Sequence, residues 1–269
     1  MAKAKGESSG FVETIKTIFW ALLIAGVFRT LFFQPFWIPS ESMKSSLLVG
    51  DFLFVNKMAY GYSKYSCPFS MCPFEGRILA SEPERGDVVV FRHPVTNEDF
   101  IKRLIGLPGD TIQMKDGRVI LNGTEVPQQP DGIFTEVYGP QGPMSNYPRC
   151  ENGAVGIGGT CEKSRALETL PTGEGDATRT YPVLNVFDGP GLPDNTAVFT
   201  VPAGNYFFMG DNRDNSQDSR YSQGAQGGVG MVPAEYLIGR ADRVIFSSAG
   251  KSLWYFWTWR PDRFFLRIN

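Results

Sequence analysis

Three short stretches of this 269-residue chain hold side chains that could do chemistry together. In Phe36-Trp37-Ile38-Pro39-Ser40-Glu41-Ser42-Met43 two serines flank a glutamate, and on their own serines beside a proline read as a turn or a helix cap. In Phe100-Ile101-Lys102-Arg103-Leu104-Ile105-Gly106-Leu107-Pro108-Gly109-Asp110, a strand would put Lys102 on the face shared by Phe100 and Leu104. Such a face desolvates an ammonium, and lowering a lysine from about 10.4 to about 7–8 means a differential penalty of roughly 3–5 kcal/mol. A lysine so shifted can accept a proton from serine. The competing reading is a lysine that snorkels to solvent at a strand edge. The third stretch is Met209-Gly210-Asp211-Asn212-Arg213-Asp214-Asn215-Ser216-Gln217-Asp218-Ser219-Arg220, after the apolar run NYFFM. Its carboxylates suggest calcium, but Arg213 stands where an EF-hand loop wants an acceptor and the final bidentate Glu is absent. A hydrogen-bonded polar loop fits better: Gly210 permits close approach of another side chain, Asp218 and Arg220 can pair, and Ser216 can bond a buried amine. As an isolated segment it reads equally as a solvated loop.

Composition narrows the chemistry. His93 is the one histidine, so a Ser-His-Asp triad would have to use it and a multi-His metal site is impossible. Hydrolytic chemistry in this chain calls for another base. Lys+Arg number 26 against 28 Asp+Glu, a net charge of −2 that gives no support to a nucleic-acid partner. The hydrophobic share of 42% can bury a sizeable core, which excludes a disordered or collagen-like chain. Thirty Gly and nineteen Pro favour β-structure with loops over a helical bundle.

The elements that must position these residues begin with an anchor. From Thr14 to Phe33 the chain reads TIKTIFWALLIAGVFRTLFF, which as a helix rising about 1.5 Å per residue would cross a roughly 30 Å hydrocarbon layer. Lys16 and Arg29 interrupt it, but long basic side chains near helix ends reach the headgroups. A cleaved secretion signal is the alternative, and no small-x-small site follows Gly26 to serve it. Lys3, Lys5 and Lys16 precede the apolar centre while Arg29 and Lys44 follow it, which favours a cytoplasmic N-terminus with everything after about residue 34 facing outward.

Strand-length apolar runs follow at LLVGDFLFVNKMAY, GDVVVFRHP, DFIKRLIGLPGD, TIQMKDGRVILNG, AVFTVPAGNYFFMGD and IGRADRVIFSS, each ending in Gly, Pro, Asn or Asp or bounded by a turn. Asp116-Gly117 is a two-residue hairpin signal. From about 127 to 195 the pattern dissolves into Gly, Pro, Thr and charge, and an insertion that long must carry small elements of its own or cover part of the surface. Cys67 and Cys72 bracket CPFSMC, and Cys150 and Cys161 bracket CENGAVGIGGTC. These spacings do not suit zinc; an oxidising compartment favours two loop-closing disulfides, with free thiols as the alternative. The C-terminal SLWYFWTWRPDRFFLRIN suggests either contact with a membrane interface or ordinary packing of a final element.

Taken together, the anchor, PSESM with LLVGDFLFVNK, then RGDVVVF, IKRLIGLPGD, GDNRDNSQDSR and the later GRA resemble, in order, the bacterial type I signal peptidases, the leader peptidases of the Ser-Lys endopeptidase family. The resemblance does not extend convincingly through 127–195 or the CPFSMC loop. It implies a mostly β fold: an N-terminal transmembrane helix followed by a twisted antiparallel β-sheet peptidase domain with a long loop-rich insertion. The boundaries would be a cytoplasmic tail at 1–13, an anchor at 14–33 and an outward-facing peptidase domain at 34–269. It further implies Ser42 as nucleophile, Lys102 as general base, Ser40 as an oxyanion-hole hydroxyl beside the Ser42 N–H, and Ser216 as the group orienting the lysine amine. Asp218 and Arg220 match a structural pair, and Asp211 and Arg213 would brace the same loop. Phe36, Ile38, Pro39 and Ile101 match positions that wall shallow pockets for small side chains, giving cleavage after Ala-x-Ala. Glu41 occupies a position that varies in the family and carries no assigned role.

The resemblance implies no cofactor. Its partners would be the signal peptides of preproteins and membrane phospholipid, near the protein-export machinery. The expected location is the bacterial cytoplasmic membrane, crossed once, with the catalytic domain on the periplasmic face. Two other readings remain open from the residues. A self-cleaving regulator would share the Ser-Lys fold, but no helix-turn-helix pattern precedes the β-region. A non-catalytic outward-facing β-domain binding a membrane partner would need neither Ser42 nor Lys102.

Overall fold

The computed structural model describes residues 7–268 except 68, 69, 71, 74, 143, 144, 174 and 251–253. One long helix, α1 (Glu7–Leu31), opens the chain. Its segment Gly10–Leu31 is long and apolar enough to cross a membrane, and its apolar stretch is not buried in the rest of the protein. Large apolar side chains such as Phe11, Ile18, Leu22 and Ile24 are exposed, and a helix apolar on every side suits lipid rather than water. The boundary differs from the 14–33 expected. Phe33 does not end the helix but starts the first strand, β1 (Phe33–Trp37), because the partner strand claims its backbone and Pro35 cannot be helical interior. Lys3 and Lys5 lie outside the described residues.

A seven-stranded antiparallel sheet forms the body. It joins β1 to β2 (Asp51–Asn56), β5 (Val88–Arg92), β6 (Asp99–Gly106), β14 (Asn205–Met209), β15 (Val232–Pro233) and β16 (Leu237–Ser247), in the order β1-β2-β16-β5-β6-β14-β15. The pair β3 (Tyr62–Ser63) and β4 (Arg77–Ile78) lies beside the Cys67–Cys72 disulfide, and both expected cysteine pairs are bonded. A four-stranded sheet holds β7 (Thr111–Lys115), β8 (Arg118–Leu121), β9 (Thr124–Glu125) and β13 (Phe199–Thr200). Asp116 and Gly117 turn β7 into β8 with φ of 47° and 72°, the left-handed backbone of a two-residue hairpin.

The 127–195 stretch has a sheet of its own: β10 (Gln128–Val137), β11 (Thr160–Pro171) and β12 (Thr178–Asn185). Its strands escaped the apolar pattern because part of their buried face is charged, with Lys163 and Glu168 shielded from solvent beside Leu170, Tyr181 and Val183. Two cores frame the site. Ile38, Met43, Leu47, Leu53, Val88, Val90 and Ile238 pack beneath the serine segment, and Ile105, Ile112, Met114, Phe207 and Met209 weld the main sheet to the smaller one. Along β6 every residue from Lys102 to Gly106 is buried, so alternation gives way to burial on both faces.

At the C-terminus, Trp254, Phe256 and Trp257 stand exposed, Trp254 at 88%. Trp259 and Phe264 pack on Phe246, with ring centroids 4.9 and 5.1 Å away. Arg263 pins this segment to Asp51 through bonds of 2.6 and 3.0 Å.

Candidate active site

The serine segment leaves β1 and folds into a tight turn, in which the Lys44 N–H donates to the Glu41 carbonyl and the Leu47 N–H to that of Met43. Burial of Met43 and Leu47 anchors the turn and presents Ser42, only 7% exposed, toward β6. Lys102, 4% exposed, extends from β6 to meet it: the Nζ lies 2.6 Å from Ser42 Oγ and donates to the Ile101 carbonyl at 3.1 Å. Burial lowers the Lys102 pKa to about 8; the carboxylates of Asp218 and Asp211 pull it upward, and Arg220 adds to the lowering. The amine also sits 5.4 Å from the centre of the Phe100 ring, as the shared strand face predicts. Ser40 is exposed, its Oγ 3.4 Å from that of Ser42.

The polar loop after β14 closes the back of this site. The Asn212 N–H donates to the Ser42 carbonyl and its Nδ2 to the Glu41 carbonyl, both at 3.0 Å. Gly210 lies against the serine turn so closely that a Cβ there would run into the Ser216 side chain and the Ser42 carbonyl. Asp218 and Arg220 form a buried two-pronged pair at 2.9 and 2.8 Å, and Asp218 also accepts the Gly210 N–H. Burial alone would raise the Asp218 carboxyl, but Arg220 and the Gly210 N–H outweigh it and hold the group below its ordinary range. Ser216 is brought to the site but does not bond the amine: Lys102 directs its hydrogen bonds to Ser42 and Ile101. The Ser216 hydroxyl is buried and helps keep Asp218 ionised, without completing a hydrogen bond of normal geometry.

Asp211 and Arg213 brace the loop through partners that the motifs did not reveal. Asp211 takes two bonds from Arg103, at 2.8 and 2.7 Å, and one from Ser46. Arg213 grips Glu168 of β11 at 2.8 and 2.6 Å. Tyr181 of β12 donates to that same Glu168, and the Arg103 guanidinium lies 3.8 Å from the centre of the Tyr181 ring. A signal for Arg103 existed: two adjacent basic residues in an apolar strand point to opposite faces, so a strand buried on both sides must pair one of them. Glu168 had none, because nothing in its surroundings reads as a motif.

Of the expected pocket residues, Phe36 and Ile101 are half-buried against one core and Pro39 is exposed. Ile38 is 2% exposed and serves the core, so it can back a pocket more than line it. His93 lies in the turn between β5 and β6, where its Nδ1 accepts the Val95 and Thr96 N–H groups and its Nε2 meets the Gly228 carbonyl. Its ring is fully engaged in holding that turn.

The geometry defines a serine hydroxyl facing a buried, depressed-pKa lysine on a β-scaffold, and the chain's relatives agree in kind. Residues 11–246 match the family model described as signal peptidase, peptidase S26. Signal peptidase I of Rickettsia typhi is 38% identical over 256 residues, covering 90% of this chain and 84% of that protein. Signal peptidase I of Rickettsia akari is 39% identical over 249 residues, covering 88% and 81%. A crystal structure of a signal peptidase I from Enterococcus faecalis V583 aligns at 22% identity over 60% of this chain and 97% of that one, with a TM-score of 0.30, a superposition too loose to bear on the fold. The chain belongs to the S26 family of type I signal peptidases, and its class is that of a signal-peptide-removing enzyme.

Proposed function

We propose that the chain removes N-terminal signal peptides from exported preproteins with Ser42 as nucleophile and neutral Lys102 as general base. The observation that carries this reading is the 2.6 Å approach of Lys102 Nζ to Ser42 Oγ, with a lysine held at about 8. At pH 7 about a tenth of such lysines are neutral, against fewer than about one in a thousand at the ordinary value. The neutral amine accepts the Ser42 proton as the oxygen attacks the scissile carbonyl, then returns it to the departing amine of the mature protein. A water deprotonated by the same amine then hydrolyses the acyl-enzyme, restoring the serine.

The oxyanion falls to the Ser42 N–H and the Ser40 hydroxyl, and one such donor typically contributes about 2.7–4 kcal/mol to the transition state. The exposed Ser40, 3.4 Å from the nucleophile, suits that duty. Gly210, Asp211, Arg213, Asp218 and Arg220 hold the lysine's surroundings, and Ser216 would orient the amine once the serine is acylated. At the edge of the main sheet β1 can pair with an extended substrate, leaving Phe36, Pro39 and Ile101, backed by Ile38, to reject large side chains and favour Ala-x-Ala. The uncovered apolar helix and the exposed aromatic C-terminus support a single-pass membrane protein in contact with phospholipid, its 34–269 body outside the cytoplasmic membrane near the export machinery.

The test is cleavage of a model preprotein by wild type, Ser42→Ala and Lys102→Ala in detergent, with the cut site read by mass spectrometry. Cutting after Ala-x-Ala that disappears in both variants is expected; undiminished cutting by both would overturn the catalytic assignment.

A further inference from the structure

Glu41 stands between the two serines with no role from sequence, yet it is held more firmly than either. Its carboxylate is buried: Oε1 accepts from Lys44 Nζ at 2.8 Å and Oε2 from Asn215 Nδ2 at 2.9 Å. Its carbonyl accepts from Asn212 Nδ2 at 3.0 Å and from the Lys44 N–H at 2.9 Å. That carbonyl and the Ser42 N–H belong to one planar, trans peptide unit, so fixing the first sets the direction of the second.

The grip extends into the inserted sheet. Lys44, almost wholly buried, donates all three ammonium hydrogens, to Glu41, to Glu136 at 2.6 Å and to Gln141 at 2.9 Å. Glu136 of β10 takes Lys163 of β11 on its other oxygen at 2.7 Å, and Gln141 Nε2 donates to Glu136 as well, also at 2.7 Å. Charge therefore alternates along Glu41, Lys44, Glu136 and Lys163, and the row ends at the peptide that carries the nucleophile. Buried ion pairs are poor stabilisers, since apolar side chains of similar volume often serve stability as well. What a fully satisfied row supplies is a fixed geometry.

We propose that Glu41 is a positioning residue: through Lys44 and Glu136 the inserted β10–β11 hairpin holds the Glu41–Ser42 peptide in the orientation that aims its N–H at the developing oxyanion. The proposal rests on Ser42 being the nucleophile. The substrate would bind to the same surfaces with or without the row, so its loss falls on turnover and not on KM.

The experiment measures kcat and KM on a model preprotein, with thermal unfolding alongside, for the full chain in detergent carrying Glu41→Gln, Glu136→Gln or both. Each single change is expected to lower kcat about ten-fold with KM within about two-fold of wild type, and the double variant to fall no further than the weaker single, because both act through one lysine. Glu136 lies away from the serine turn in sequence and is slightly solvent-accessible, so its variant decides between the outcomes even if Glu41→Gln fails to fold. An unchanged kcat, a loss confined to KM, or two losses that multiply would overturn the proposal. Full activity in a parallel Ser42→Ala sample would instead overturn the catalytic assignment beneath it.

Discussion

Replacing Lys102 by Met should abolish cleavage and stabilise the fold, by an amount that shrinks as pH rises. The lysine's pKa falls from 10.5 to about 8 on folding, with burial as the chief cause. Between those values the unfolded chain binds more protons than the folded one, so stability from this group improves as pH climbs through that window. Below pH 8 both states are protonated and the full penalty is present, about 3 kcal/mol at pH 7. At pH 9.5 the penalty has dropped to roughly 1 kcal/mol, because the folded lysine is already neutral and the unfolded one only mostly charged. Methionine has the length of the lysine stem and no charge to bury. The advantage of the variant over wild type should thus narrow by about 2 kcal/mol between pH 7 and pH 9.5, whatever constant amount the lost bond to Ser42 removes. For a domain of this size that is roughly 4–8 °C in the gap between the two melting temperatures. Both proteins share every other titrating group, so thermal unfolding of the pair at the two pH values isolates the lysine. A gap that stays constant, or widens with pH, would refute the buried, depressed lysine and with it the neutral base.

Other expectations follow from the same geometry. The pH profile of kcat/KM should rise with a midpoint near the Lys102 value of about 8, and an acid limb centred near 10 would mean that the lysine in solution is not desolvated. Gly210→Ala should cost roughly 1–3 kcal/mol of stability, and turnover should fall well beyond what unfolding explains, because the new methyl would displace the Ser42 carbonyl; activity equal to wild type would show the loop to be looser than the structure has it. Arg213→Met should destabilise by about 3–5 kcal/mol at neutral pH by leaving Glu168 buried without its cation, and denaturant unfolding should show part of that loss recovered toward acid pH, where the carboxyl takes a proton.

The anchor, the large sheet's strands and the Asp116-Gly117 turn were legible because each follows a local rule: apolar length, alternation, or a backbone that only certain residues adopt. Ser42 and Lys102, sixty positions apart, were legible only through the ordered motifs of the family resemblance, because each segment read alone suggests a turn, a snorkelling lysine or a solvated loop. The inserted sheet was not. Its inward face relies on Lys163, Glu168 and Glu136, and charged residues register as surface in any reading of hydropathy, although here Lys163 pairs with Glu136 while Glu136 and Glu168 take Lys44 and Arg213 from other parts of the chain. Glu41 was passed over for the same reason, since its partners are Lys44, itself tied to that sheet through Glu136, and Asn215 in the loop after β14. Ser216 illustrates the opposite limit: its proximity was foreseen, and the hydrogen bond expected of it is taken by Ser42. Pairings over long separations are set by the fold, and no local pattern encodes them.

The junction between α1 and β1 leaves no swivel. The helix ends at Leu31, whose carbonyl accepts the Tyr62 hydroxyl at 2.6 Å; Phe32 alone intervenes, tied by the Lys57 N–H; and Phe33 is already paired with Asn56. With the helix in lipid as proposed, β1 carries the chain roughly 13 Å from Phe33 to Trp37 before the turn that holds Ser42, so the site stands off from the helix end by a rigid spacer. A tethered blade of fixed height selects by protrusion as well as by side chain. On the proposed reading, an Ala-x-Ala sequence flush with the lipid would escape the cut, and the length of polar chain between a preprotein's apolar core and its cleavage point would count alongside the residues at the cut.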